Sequence, residues 1–168
     1  MINWMYFPKN RKPDDISKQV VSAFEAIAAD IDSDTHTYKS DNVLAIVCPG
    51  LEACGFIVEK SKHKEDLISV PVLFGQNGRI EKSFEADAWM ESAQYVIEVE
   101  AGRAVVNYQF LKDFFEACTM SDIDKLCIAV RNTYKGANDF VKVCTFFEAM
   151  YASGRLGVPL SGILVVGY

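Results

Sequence analysis

The sequence predicts an α/β protein, a three-layer αβα sandwich built on a central mixed sheet. Three observations lead there. The apolar period switches from helical to strand-like and back along the chain. Two late runs, DKLCIAVRN and SGILVVGY, are almost continuously apolar, as strands covered on both faces are. Amphipathic helical stretches precede each of them, and helices alternating with buried strands imply layers around one sheet, with right-handed strand–helix–strand crossovers. At 168 residues the chain is expected to form one domain, residues 1–40 an N-terminal arm and helix and residues 41–168 the core.

The opening MINWMYFPKNRKP is aromatic, then basic, and reads as an arm docked on the core. After Pro13, Ile16, Val20, Phe24, Ile27 and Ile31 repeat at helical spacing, and Asp14 and Asp15 suit a helix start. DSDTHTYKSDN is polar and reads as a loop. NVLAIVCPGLEACGF is a second helix capped by Ser40 or Asp41, with Pro49-Gly50 expected to kink or interrupt it. FIVEKSKHK alternates as a strand that would align Lys60, Lys62 and Lys64 on one face. ISVPVLFG and IEKSFEADAWM form a hairpin about the Asn77-Gly78 turn. YVIEVEA is the next strand, Arg103 to Met120 an amphipathic helix, and NDFVKVCTFFEAMYAS the last helix.

No apolar run is long enough to span a membrane, and the N-terminus lacks a signal-peptide hydrophobic region. Five scattered cysteines without metal-ligand spacing read as reduced thiols in a cytoplasmic protein. Only two histidines are present, which leaves zinc little to bind. The net charge of −6 argues against a protein that coats nucleic acid, so a polyanionic partner would need local basic clusters.

The chemistry concentrates in the stretch from Phe84 to Ala104. Val96, Glu98 and Glu100 share one strand face, and acids two residues apart on a strand lie roughly 6–7 Å apart. At an effective dielectric near 20 their repulsion is about 2–3 kcal/mol. Asp87, on the preceding run, can bring a third carboxylate to that face across a hairpin. A divalent cation between the acids would make the crowding tolerable, whereas without it at least one acid should titrate high. Solvated acids on an open strand face would give the same alternation.

The element order and these acids together resemble the PD-(D/E)XK nuclease superfamily, the restriction-endonuclease-like fold. Its motif is an Asp at a strand or turn followed by an acid-x-Lys triplet on the next strand. Asp87 matches the first acid and Glu98-Val99-Glu100 the triplet, with Glu100 where the family usually has Lys. A subset of type II restriction enzymes is similar in carrying Glu there. Glu52, or less closely Glu25, matches the acid often found on the helix before the first strand. The resemblance covers roughly residues 42 to 135.

It implies Mg²⁺ (or Mn²⁺) held by Asp87, Glu98 and the Val99 carbonyl, with Glu100 acting on the attacking water and Glu52 joining through a water molecule. It also implies DNA as partner, phosphodiester hydrolysis, and a homodimer for cutting both strands. Arg103, Lys60 and Lys62 are the candidates for holding phosphates, although a lysine run is more often a solvated strand end. The competing expectation is a nuclease scaffold that binds or assembles without cleaving.

Overall fold

A computed structural model describes residues 1–168. In chain order the elements are β1 (Asn3–Phe7), α1 (Asp15–Ala26), α2 (Ala28–Ile31), α3 (Ser40–Cys54), β2 (Ile57–Val58), β3 (Ile68–Phe74), β4 (Ile80–Ala86), β5 (Ala88–Met90), β6 (Tyr95–Val99), α4 (Gln109–Thr119), β7 (Lys125–Val130), β8 (Thr133–Tyr134), β9 (Ala137–Asn138), α5 (Asp139–Ser153) and β10 (Gly162–Gly167). Six strands make a mixed sheet in the order β1-β10-β7-β6-β5-β2. Strands β6, β7 and β10 run parallel, and β1, β5 and β2 pair antiparallel to their neighbours.

The period-two alternation of the parallel strands divides the core in two. Tyr95, Ile97, Cys127, Ala129, Leu164 and Val166 face α1 and α3. Val96, Leu126, Ile128, Ile163 and Val165 face α4 and α5, where Phe110, Phe114 and Phe147 pack edge-to-face. The protein is thus a mixed α/β fold with helices over both sheet faces. No helix is long and apolar enough to cross a membrane, and all five cysteines are free thiols.

Several local expectations are corrected. The N-terminal arm docks on the core as expected, but as an edge strand, Asn3 to Phe7 pairing with Ile163 to Gly167, with Tyr6 and Phe7 buried and Trp4 exposed. The first helix breaks at Ile27, whose backbone leaves helical geometry (φ −116°, ψ 16°). Helix α3 continues unbroken through Pro49-Gly50, and it begins at Ser40 without a side-chain cap. Gly50 serves a packing role there, since a Cβ would sit 3.0 Å from that of Ala23 on α1.

The alternating FIVEKSKHK forms only the two residues of β2. Beyond Val58 it finds no partner strand and turns into a loop tied by Ser61 to Asp66, so the three lysines do not share a face. The helix expected from Arg103 starts only at Gln109. Gly102 (φ +67°) and Tyr108 (φ +54°) are both left-handed, and a Cβ on Gly102 would meet the Tyr134 ring at 2.7 Å. The β3–β4 hairpin turns at Asn77 and Gly78, both with positive φ, but forms its own two-stranded ribbon outside the central sheet.

Candidate functional site

Asp87 sits where the long predicted strand splits into β4, which pairs with β3, and β5, which enters the central sheet. Its Oδ2 accepts from the Val99 amide at 2.8 Å, in place of a ladder carbonyl, and its own carbonyl accepts from the Glu59 amide at 2.8 Å. On β6, Glu98 continues the row of Val96 and so projects toward α4, not toward α3. Glu100 lies just past the strand, its amide held by the Ala129 carbonyl at 2.8 Å and its carbonyl by the Tyr168 hydroxyl at 2.8 Å.

Asp87, Glu98, Val99 and Glu100 line one cleft of about 170 Å³. Asp113 and Glu116 of α4, Glu85 of β4 and Glu59 complete its acidic wall, with Lys62 and Lys112 the cations. Seven carboxylates against two lysines give a formal charge of 2 − 7 = −5. Lys62 lies 2.5 Å from Glu59, 3.8 Å from Asp41 and 3.9 Å from Asp87. Lys112 pairs with Glu116 at 2.9 Å.

Titration behaviour follows from this enclosure. Burial pushes Asp87 up to about 6 even though the Val99 amide and Lys62 oppose it. Burial, then Asp87 and Asp113, hold Glu98 well above the usual carboxylate range. Burial also raises Glu100, against the stabilising contact with Asp113. Asp113 is pushed up to about 8, by burial first and by Glu100 second. The sequence anticipated a raised acid from charge crowding; desolvation is the larger cause. Lys62 and Lys112 titrate high, since their carboxylate neighbours outweigh the opposing effect of burial.

The remaining candidates separate. Glu52 is exposed on α3 and pairs with Lys60 at 2.5 Å, so both point away from the cleft, each satisfied by the other in solvent. Lys62 does reach the cleft, whereas Arg103 is exposed in the turn before α4. There it lines an adjoining hollow of about 400 Å³ with Glu100, Lys39 and Gln109.

Asp113 is the site residue the sequence reading missed. Its signal was present: it lies three residues after Phe110 and beside Phe114, on the buried stripe of an amphipathic helix. Glu59 carried no comparable signal, because its burial depends on the loop that follows β2.

As the side chains stand, no three His, Cys, Asp or Glu groups are arranged to grip a metal ion. The donor set nonetheless suits a hard divalent cation: it is all oxygen, strongly negative, and includes a buried Asp113 Oδ2 with no partner. Comparison with known proteins finds no matching family model, no matching curated protein and no matching solved structure.

Proposed function

We propose that the chain is a divalent-cation-dependent nuclease of restriction-endonuclease-like fold that hydrolyses phosphodiester bonds in DNA. The observation that carries this reading is that Asp87, Glu98 and Glu100, from two separate elements, line a single cleft. The element order supports it as well. A helix (α3), an antiparallel strand set (β2, β5, β6), a second helix (α4) and a parallel strand (β7) follow one another, with the β3–β4 ribbon inserted.

In this reading Asp87, Glu98 and the Val99 carbonyl would hold Mg²⁺ or Mn²⁺. Such a cation, when bound, acidifies a coordinated water and offsets charge on phosphate oxygens. The protein's own groups do the rest. The Val99 amide fixes the Asp87 carboxylate, leaving its Oδ1 toward Lys62. Glu100, with a raised proton affinity, takes a proton from the attacking water. The Lys62 ammonium brings to the cleft the positive charge that Glu at position 100 does not supply. Arg103, in the adjoining hollow, would meet a backbone phosphate, and two copies of the chain would be needed to cut both strands.

Incubation of plasmid and single-stranded DNA with Mg²⁺ or Mn²⁺, beside Asp87→Ala and Glu98→Ala, tests the reading. Cutting by the wild-type chain alone is expected; DNA left intact under every condition would overturn it. A second reading, a nuclease scaffold that binds without cleaving, is favoured by the lack of a ready three-ligand set and by the net charge of −6. Calorimetric cation binding with uncut DNA is its signature.

A further inference from the structure

We propose that Asp113 is a further cation ligand, closing the cleft from the α4 side opposite Glu98 and Glu100. This rests on the cation-dependent reading of the cleft. Asp113 lies on the buried stripe of α4 between Phe110 and Phe114, is only 5 % exposed, and still faces the cleft. Its Oδ2 is fully buried and has no hydrogen-bond partner.

Neither cleft lysine reaches that oxygen. Lys62 is engaged with Glu59 at 2.5 Å and Lys112 with Glu116 at 2.9 Å, the latter staying 4.0 Å from Asp113 Oδ1. A buried carboxylate oxygen without a partner weakens the fold, so a ligand that uses it is the natural occupant. The side chains that could donate to a cation there offer oxygen alone, with no imidazole or thiolate, which selects a hard cation of the Mg²⁺ or Mn²⁺ class over zinc.

Mn²⁺ titration by calorimetry tests this on the full chain, with Glu52→Gln as a control outside the cleft. Asp113→Asn keeps the shape and can still donate to Glu100. It should weaken Mn²⁺ binding at least about tenfold and shrink the Mn²⁺-induced rise in Tm, while Glu52→Gln changes neither. Unchanged Mn²⁺ affinity in Asp113→Asn overturns the role of Asp113 and leaves the cation reading intact. A folded wild-type chain that binds no Mn²⁺ overturns both. Carbon-detected NMR of the wild-type chain gives an answer that needs no variant to fold. Substoichiometric Mn²⁺ should broaden the side-chain carboxyl resonances of Asp113 and Glu98 together; a sharp Asp113 signal beside a broadened Glu98 overturns the assignment.

Discussion

Neutralising Asp113 should remove a loss of stability that the wild-type chain suffers as pH rises. Its folded-state pKa of about 8 stands well above the ordinary aspartate value of 3.8, so the native state holds its proton after the unfolded chain has lost it. Stability therefore falls as pH rises through that window, because the native state binds more protons than the unfolded one. At 1.36 kcal/mol per unit, the cost reaches about 4 kcal/mol at pH 7 and about 6 kcal/mol above pH 8. Glu100 shares the proton, so the pair recovers part of this. Half of the pH 7 figure, about 2 kcal/mol, corresponds to roughly 4–8 °C in Tm for a chain of this size. Thermal unfolding of Asp113→Asn and wild type, in chelator from pH 4 to pH 8, reads the effect. The two should melt together near pH 4 and diverge steadily toward pH 8, with the variant more stable. A constant gap across that range, or a variant less stable at pH 8, would refute the reasoning.

Three further perturbations follow from the packing. Phe147→Ala removes a fully buried ring packed against Phe7, Phe110 and Phe114, and should cost about 3–5 kcal/mol, read as a lower urea midpoint at unchanged slope. Asp14→Ala removes the N-cap that accepts from the Ser17 amide at 2.8 Å and an ion pair with Lys125 at 3.0 Å. It should cost about 1–2 kcal/mol, and a melting curve identical to wild type would refute the cap's role. Lys62→Met strips the partner from buried Glu59 and should lower stability by about 1–3 kcal/mol while abolishing any DNA cutting. Lys60→Met, a surface change, should do neither.

Much of the sheet was readable in advance because its residues answer to local rules. The apolar runs of β7 and β10, the alternation of β6, the Asn77-Gly78 turn and the helical repeat in α5 all appear at the expected places. Where local rules compete with partners far along the chain, the reading failed. Pro49 does not break α3, which packs on α1 with Gly50 close against Ala23. FIVEKSKHK has a strand's alternation but no strand to pair with beyond Val58. The helix before the last strands starts late, after left-handed Gly102 and Tyr108, with Gly102 packed against the Tyr134 ring.

By itself the sequence determined the α/β layering and the placing of two acids on one strand face, since side-chain direction along a strand is set by backbone geometry alone. Tertiary structure decided which other groups meet them. Asp87 joins through a hydrogen bond to the Val99 amide, Asp113 arrives on a helix that crosses the sheet, and Lys62 reaches in from a loop while Glu52 turns out to solvent. These positions depend on pairings made across the fold, which no local period encodes. The burial they create, more than the spacing of the charges, is what keeps the protons of the cleft in place.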